Sequence, residues 1–308
     1  MARHDPAWYD AQYNNPARVA ETPRHLGRWA RASELARQGL SRRLDVLYGP
    51  GPSEALDIFP SARADAPVFF FIHGGYWRAL DKRYASFIAP ALVGAGAMVV
   101  VPNYALAPAV SIETITLQLV RALAWTWRNA ALYGGNPSRI VVGGHSAGGH
   151  LAAMMLACEW KRVAPDLPAR LVHSALSISG LFDLEPIRRA PFLQADLKLT
   201  PASVRRLSPA RFPAPPGGTL HALVGGQESE EFLRQNELIR ASWGERVVPV
   251  CEAVPGTDHF TVLHELADAG SRLHRLTLGS SGSPLEPGQL RYRRLDENSS
   301  TQCAGLAD

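Results

Sequence analysis

The stretch at residues 140–151, IVVGGHSAGGHL, decides how the rest of the sequence is interpreted. A β-branched run predicts a buried strand, and after a glycine-rich turn AGGHLAAMMLACEW predicts a helix. Gly144, Ser146 and Gly148 fit the pattern G-x-S-x-G at that turn. A sharp strand–turn–helix strains the backbone of the serine, which is tolerated only where the neighbouring residues lack bulk. The turn aims the Ser146 hydroxyl at the positive helix end and predicts a nucleophile; the alternative is an inert serine in a glycine-rich turn.

Apolar runs of strand length alternate with helical segments on both sides of this turn. The runs are VFFFI (68–72), AMVVVPNY (97–104), LVHSALSI (171–178), LHALVGG (220–226) and VVPVCEAV (247–254). LDVLYG (44–49) and ALDIFP (55–60) predict a hairpin, Ser111 is predicted to cap a long helix, and a last helix is predicted over residues 260–276. Repeated β–α units predict an α/β fold with a mostly parallel central sheet and helices on both faces.

A second glycine motif follows the strand VFFFI directly, in the sequence His73-Gly74-Gly75-Tyr76-Trp77. This matches the H-G-G loop whose backbone N–H groups bind the oxyanion in esterase-like hydrolases. The predicted oxyanion donors are the backbone amides of Gly74, Gly75 and Ala147, because a serine nucleophile needs donors for the negative charge that develops. His73 is predicted to brace the loop rather than to take part in the chemistry.

A serine hydroxyl also needs a base, and the fold class delivers a histidine after a late strand. Of the ten histidines, His259 in GTDHFTV follows the strand VVPVCEAV. His264 and His274 lie within the last predicted helix, and His173 and His221 lie in predicted strands. His145 and His150 flank the serine turn. We therefore predict His259 as the general base.

The acid that orients the base is expected after the strand LHALVGG, where the chain reads Gln227-Glu228-Ser229. Glu228 is nearest to the strand end and is the predicted acid. Asp183, which follows the preceding strand, is the rival, and Asp258 is poorly placed to bond the ring of its own neighbour. The order Ser146, Glu228, His259 is that of the α/β-hydrolase triad, which admits either acid.

With these residues identified, the sequence resembles the kynurenine formamidase (arylformamidase) group of α/β-hydrolases of the H-G-G esterase and lipase type. The resemblance runs from about Tyr9 to His274. It rests on Tyr13-Asn14-Asn15, Leu56-Asp57-Ile58-Phe59-Pro60, His73-Gly74-Gly75-Tyr76-Trp77, Pro102-Asn103-Tyr104 through Pro108, the turn at residues 144–149, Glu228-Ser229, residues 231–235 and Asp258-His259-Phe260. HGGYW is the most specific of these motifs, and GHSAGGH is shared with many esterases.

The resemblance implies a Ser-Asp-His triad, no metal or other cofactor, and hydrolysis of N-formyl-L-kynurenine to L-kynurenine and formate in tryptophan degradation. This sequence departs from the family at Glu228, where an aspartate is usual, so the longer acid must sit farther back. Tyr76, Trp77, Tyr13 and Asn14 are predicted to contact the substrate. The alternatives are a carboxylesterase acting on small aryl or acyl esters with the same machinery and a binding protein on a hydrolase scaffold that has lost the chemistry.

Composition and charge exclude several other classes. The net charge of +4 is spread along the chain without a basic stripe between aromatics, so no nucleic-acid partner is expected. No apolar run reaches the roughly 18 residues of a bilayer span, and the N-terminal segment has no apolar signal region. The three cysteines lack metal-ligand spacing and predict reduced thiols in a cytoplasmic protein. The partner is thus a small-molecule substrate, and the oligomeric state is not readable.

The domain organisation is predicted in three parts. Residues 1–40 form a helical or irregular segment that packs on the hydrolase domain from outside. Residues 41–278 form the α/β-hydrolase domain. Residues 279–308 are rich in glycine, serine, proline and charge and are predicted to be disordered.

Overall fold

The computed structural model describes residues 4–280, and their core is an eight-stranded sheet with the order β1-β2-β4-β3-β5-β6-β7-β8. The strands are β1 (Arg43–Leu47), β2 (Ala55–Phe59), β3 (Ala66–Ile72), β4 (Met98–Pro102), β5 (Gly135–His145), β6 (Ser174–Ile178), β7 (Thr219–Gly225) and β8 (Val250–Val254). Strand β2 pairs antiparallel with β1 and β4, and all the other neighbours are parallel. The predicted α/β fold with a mostly parallel sheet is confirmed.

Helices cover both faces of the sheet. They are α1 (Pro6–Tyr13), α2 (Asn15–Arg18), α3 (Thr22–Gly39), α4 (Ala89–Gly94), α5 (Ile112–Asn129), α6 (Ala147–Leu156), α7 (Trp160–Val163), α8 (Glu185–Arg189), α9 (Pro191–Leu197), α10 (Pro201–Leu207), α11 (Glu230–Trp243), α12 (His264–Ala267) and α13 (Arg272–Ser280). Side chains of β3 alternate between the faces: Phe70 packs into one core, with α5 and α6, and Phe69 and Phe71 pack into the other. Because β3 is buried on both faces, its sequence is a continuous hydrophobic run.

Several local predictions are confirmed. Strands β1 and β2 form the antiparallel hairpin. The Ser111 side chain accepts a hydrogen bond from the N–H of Thr114 and so caps α5. A short 3₁₀ turn extends that helix to Gly134, whose positive φ of 81° ends it.

The C-terminal region differs from the prediction of one helix over residues 260–276. It consists of a 3₁₀ turn (Thr261–Leu263), α12 and α13. The helix breaks where side chains, rather than backbone carbonyls, accept hydrogen bonds from backbone N–H groups. Asp268 accepts from the N–H of Gly270, and Ser271 accepts from the N–H of His274. Helix α13 includes residues 279 and 280, which the sequence assigned to the tail, and the rest of the predicted disordered tail lies outside the described residues.

The N-terminal helices lie against the sheet domain at the carboxyl ends of its strands. Helix α1 contacts α8, α9 and α11, whereas α3 packs on the 3₁₀ turns before α4. Trp29 of α3 is buried in the second core and stacks on Phe87. None of the helices within residues 4–280 has the length and apolar content needed to cross a membrane.

Candidate active site

The turn between β5 and α6 places Ser146 at the carboxyl edge of the sheet. Its backbone has φ 58° and ψ −119°, a strained conformation for a residue with a side chain. The flanking glycines are required sterically: a Cβ on Gly144 would lie 2.1 Å from the carbonyl oxygen of Gly148, and one on Gly148 would lie 2.1 Å from that of Ile72. The close packing of α6 against β3 and β5 therefore depends on residues without side chains at these two positions.

Glu228 and His259 meet at the ends of β7 and β8. His259 Nδ1 donates to Glu228 Oε2 at 2.6 Å, and both side chains are buried. The other carboxylate oxygen accepts from the Ser179 hydroxyl at 2.5 Å and from the N–H of Gly225 at 2.7 Å. Three donors thus hold the buried carboxylate in one orientation. Because Nδ1 carries the proton of this bond, Nε2 of a neutral His259 is free to accept one.

The rival acids have other partners. Asp183 Oδ1 accepts from the guanidinium of Arg211 at 2.9 Å and from the N–H of Glu185 at 3.2 Å. Asp258 Oδ1 accepts from the N–H groups of Phe260 and Thr261 at 2.8 Å each, and so orders the turn after His259. Of the three candidate acids, Glu228 is the one bonded to the histidine.

Ser146 and His259 line the same cavity, which has a volume of about 400 Å³. Within the described chain, Ser146 Oγ makes no hydrogen bond to the imidazole in this conformation. In hydrolases this bond is often long before the substrate binds and tightens in the complex. The arrangement therefore has an oriented acid–base pair next to a serine exposed to the same cavity.

The loop after β3 brings backbone N–H groups beside Ser146. A Cβ on Gly74 would lie 3.2 Å from Ser146 Cβ, and Gly75 has a positive φ of 103°, where a Cβ would lie 2.1 Å from Ala79 O. Among the described residues, the N–H groups of Gly74, Gly75 and Ala147 donate to no backbone carbonyl. These donors remain available to a ligand near the serine.

The buried side chains of His73 and Tyr104 pack together and contact this loop. The His73 ring stacks on Tyr104 with centroids 4.2 Å apart, and its Nδ1 lies 2.8 Å from the carbonyl oxygen of Gly74. Burial lowers the pKa of His73 to about 4, so the ring is neutral at physiological pH. These contacts agree with the predicted bracing role.

His145, which the sequence treated only as a neighbour of the serine, contacts the histidine of the pair. Its Nε2 donates to the carbonyl oxygen of His259 at 2.7 Å, and the two rings lie 4.7 Å apart. Burial holds the pKa of His145 well below its ordinary value. A neutral ring with its proton on Nε2 therefore fixes the backbone at His259, a contact that depends on tertiary structure and has no signal in sequence spacing.

The cavity walls come from the N-terminal helices, the loop after β3 and α9. Its aromatic and aliphatic lining consists of Leu26, Trp29, Tyr76, Leu80, Phe192 and Phe260. Its polar lining beside the serine and histidines consists of Asn14, Asn15, Thr22 and Arg78. Sequence reasoning missed Trp29, Phe192 and Arg78, because an aromatic or basic residue on a helix or loop gives no sign of the cavity that it faces.

Two of the four predicted substrate contacts, Tyr76 and Asn14, line the cavity. Trp77 does not: it is 0% exposed and its ring meets His150 edge to face in the core. Tyr13 is also fully buried, and its hydroxyl donates to Glu231 at 2.6 Å. Neither side chain lines the cavity, because Trp77 packs in the core against His150 and Tyr13 is bonded to Glu231 of α11. Their contact with the substrate stays a prediction.

Within residues 4–280, no group of three or more His, Cys, Asp or Glu side chains is arranged to hold a metal ion. The chemistry available in this cavity is that of a hydroxyl nucleophile, an imidazole and backbone amide donors.

Comparison with known proteins identifies the family. Residues 69–259 match the α/β-hydrolase fold family. Kynurenine formamidase from Danio rerio is 31% identical over 268 residues, covering 84% of this chain and 88% of that protein. Carboxylesterase NlhH from Mycobacterium tuberculosis is 43% identical over 98 residues, covering 31% of this chain and 30% of that protein.

Among solved structures, a protein from Silicibacter sp. TM1040, whose assignment as a thioesterase is provisional, has a TM-score of 0.78 and 30% identity. The similarity covers 87% of this chain and 98% of that one. The chain therefore belongs to the α/β-hydrolase family, in the group that includes the kynurenine formamidases.

Proposed function

We propose that this protein hydrolyses N-formyl-L-kynurenine to L-kynurenine and formate, with Ser146 as nucleophile, His259 as base and Glu228 as orienting acid. The observation that carries the proposal is that Ser146 and His259 line one cavity, while the buried Glu228 carboxylate holds His259 Nδ1 at 2.6 Å. The similarity to kynurenine formamidase over most of the chain supports the substrate.

In the first half-reaction, Ser146 Oγ attacks the formyl carbon while His259 Nε2 takes the hydroxyl proton. The negative oxygen of the tetrahedral intermediate accepts hydrogen bonds from the N–H groups of Gly74, Gly75 and Ala147. The Glu228 carboxylate stabilises the imidazolium that forms. The positive end of α6 acts in the same direction on the developing negative charge.

Collapse of this intermediate breaks the carbon–nitrogen bond. His259 Nε2–H gives its proton to the leaving aniline nitrogen, so kynurenine departs and the formyl group remains as an ester on Ser146. In the second half-reaction His259 takes a proton from water, which attacks the formyl carbon. The carbon–Oγ bond then breaks, His259 returns the proton to Ser146, and formic acid leaves and gives its proton to solvent as formate.

The walls of the cavity support an aryl substrate. Trp29, Phe192 and Phe260 give the cavity flat apolar surfaces. An aryl ring held there brings a small acyl group, such as formyl, to the serine. Where an aspartate is usual in the family, this chain has Glu228. Its longer side chain is accommodated because Ser179 and the N–H of Gly225 bind the carboxylate at the ends of β6 and β7.

The second candidate function is a carboxylesterase on small aryl or acyl esters. Its support is the similarity of a 98-residue segment to a carboxylesterase, together with a largely apolar cavity. The same nucleophile, base and donors would cleave an ester, with an alkoxide or phenoxide as the leaving group.

A direct comparison of substrates tests the two functions. The purified protein is assayed on N-formyl-L-kynurenine and on p-nitrophenyl acetate and butyrate, and kcat/KM is compared. The proposal predicts a higher kcat/KM for the formamide, although an amide is the more difficult bond. A higher kcat/KM for the esters, with no turnover of the formamide, would establish the carboxylesterase instead.

The cellular compartment and the domain boundaries belong to the same proposal. Among residues 4–280, Cys158 and Cys251 form no disulfide, which suits the reducing cytoplasm. Residues 41–278 would form the catalytic domain, and residues 1–40 would complete its substrate cavity. Limited proteolysis tests the boundaries. If residues 1–40 form a detachable wall of the cavity, cleavage near residue 40 should remove activity against large substrates and leave activity against small esters.

A further inference from the structure

One permanent charge lines the cavity. Of the described residues that line it, Arg78 carries the only side chain that is charged at every physiological pH. It follows the oxyanion loop directly, two residues after Tyr76. A guanidinium beside a substrate cavity is suited to a planar anion such as a carboxylate.

Arg78 is held in place from one side. Its Nη1 donates to the carbonyl oxygen of Phe192 at 3.0 Å and to the carboxylate of Asp196. The guanidinium carbon lies 5.5 Å from the centroid of the Phe192 ring. The remaining N–H groups of the guanidinium have no partner among the described residues. The guanidinium is therefore held in one orientation and can still donate hydrogen bonds to a ligand.

Asn15 supplies a second unused donor. The residue lines the cavity and is 3% exposed, yet its Nδ2 has no hydrogen-bond partner within the described chain. A buried amide without a partner is unfavourable, which points to a ligand acceptor at this position. The neighbouring Asn14 differs, because its side chain already accepts from the N–H of Ala17 as a helix cap.

A hydrogen bond brings the segments of these two residues together. The Tyr76 hydroxyl donates to the carbonyl oxygen of Tyr13 at 2.6 Å, and both tyrosines are buried. Asn15 and Arg78 each lie two residues beyond one partner of this bond. The loop after β3 and the start of α2 thus meet at one wall of the cavity.

We propose that Arg78 and Asn15 form a carboxylate-binding subsite that selects substrates with an acidic group at the end opposite the scissile bond. The proposal rests on the proposed function and deepens it, because N-formyl-L-kynurenine has an α-carboxylate at that end. Both groups are donors, and one is cationic, so an anionic acceptor satisfies them together. The subsite orients the substrate and takes no part in bond making or breaking.

The test compares two formamides that differ only in the carboxylate. N-formyl-L-kynurenine has the carboxylate and an ammonium group, whereas N-formyl-kynuramine keeps the ammonium and lacks the carboxylate. Arg78→Met should lower kcat/KM for N-formyl-L-kynurenine about 10- to 100-fold, mainly through KM, since a hydrogen bond to a charged group is lost. For N-formyl-kynuramine kcat/KM should not fall, because removing Arg78 also removes repulsion of the ammonium.

Arg189 gives a matched control. It is 31% exposed against 30% for Arg78, pairs with Glu185, and lies 5.9 Å from the ring of Tyr9, but it does not line the cavity. Arg189→Met should leave the ratio of the two kcat/KM values at the wild-type level. Asn15→Asp, which places a negative charge in the subsite, should lower kcat/KM for the carboxylate substrate and spare the kynuramine.

Equal losses on both formamides would overturn the proposal and assign Arg78 a purely structural role. An unchanged ratio in both Arg78→Met and Asn15→Asp would overturn it as well. Failure of the proposed function looks different, because the wild type would then cleave only esters. In that case the same variants are compared on an aryl acetate with and without a propionate on its ring, and the ratio decides in the same way.

Discussion

The carboxyl edge of the sheet and the N-terminal helices both line the cavity, but they contribute different things. The sheet edge places Ser146, Glu228 and His259, each within five residues of the end of a strand. Each is restrained by hydrogen bonds or close packing. The N-terminal helices contribute Trp29 and Asn15, which form walls. The comparison indicates that the candidate catalytic side chains and the N-terminal walls of the cavity come from separate parts of the chain.

The two regions are also attached differently. The sheet edge is continuous with the central strands, whose ladders fix its backbone. The N-terminal helices are joined to it by side chains, including the bond from Tyr13 to Glu231 and the packing of Trp29 on His145. Changes at the sheet edge should therefore lower kcat, whereas changes in the N-terminal helices should affect KM and stability.

The largest effect is expected at Ser146. Ser146→Ala should lower kcat by about 10⁴- to 10⁶-fold, as loss of the nucleophile does in serine hydrolases, and should leave the thermal midpoint close to that of the wild type. Steady-state kinetics and labelling with a fluorophosphonate probe measure this. Ser177→Ala is the control, because this buried hydroxyl lies on β6 near the same turn and has no partner among the described residues. Equal probe labelling of Ser146→Ala and the wild type would refute the assignment.

The next effect distinguishes the two acids. Glu228→Gln should lower kcat up to about 10⁴-fold with little change in KM, because the imidazolium loses its compensating charge and the tautomer is no longer fixed. Asp183→Asn should be much milder, since Asp183 pairs with Arg211 rather than with His259. Kinetics of the two variants on one substrate make the comparison. A dead Asp183→Asn beside an active Glu228→Gln would mean that the acid comes from the segment after β6.

A smaller effect on kcat, with a large one on stability, is expected in the N-terminal helices. Trp29→Ala should lower the free energy of unfolding by about 3–5 kcal/mol, since a buried aromatic side chain is lost, and should raise KM. Trp29→Phe keeps the apolar contact and loses only the hydrogen bond to His264, so it should be milder. Urea unfolding and steady-state kinetics measure both quantities. A fall in kcat as large as that of Ser146→Ala would remove the distinction between the two regions.

The last prediction concerns the pH dependence of stability and the histidines buried beneath the sheet edge. Burial lowers the pKa of His73 and of His150 to about 4, whereas an unfolded histidine has a pKa near 6.5. Between these values the unfolded chain binds protons that the folded chain does not. The stability that these neutral histidines contribute should therefore be fully present above pH 6.5. The free energy of unfolding should fall as the pH drops towards 4, by up to about 1.4 kcal/mol per pH unit for each histidine.

His150→Gln separates this contribution from others. Its unfolding free energy, measured by urea titration at several pH values, should depend less steeply on pH between 4 and 6.5 than that of the wild type. An identical slope in the variant would show that His150 is not among the groups responsible.

Much of the sheet edge could be predicted from the sequence because its signals are local. The G-x-S-x-G turn and the H-G-G loop each follow an apolar strand within a few residues, and parallel strands bring their carboxyl ends to one edge. The contact between Glu228 and His259 follows from the same rule, since each residue comes after a neighbouring strand. Glu228 could be predicted although the family usually has an aspartate, because its position after the strand matters more here than the length of its side chain.

The walls could not be predicted in this way. Trp77 follows the two glycines of the H-G-G loop by two residues yet is buried against His150, whereas Trp29 is far from this loop in the chain and lines the cavity. The hydroxyl of Ser179, 49 residues from Glu228, completes the carboxylate's hydrogen bonds. Such pairs join side chains whose orientation depends on how whole helices pack.

The sequence by itself therefore determined the fold class and the candidate residues that follow β5, β7 and β8. Strand periodicity and glycine geometry act over a few residues, so they can be read directly from the chain. Only the tertiary structure decided which side chains enclose the cavity, that His145 holds His259, and that Asn15 and Arg78 face the substrate space. These depend on packing between segments far apart in the chain, where helix rotation and side-chain burial are set by the whole core.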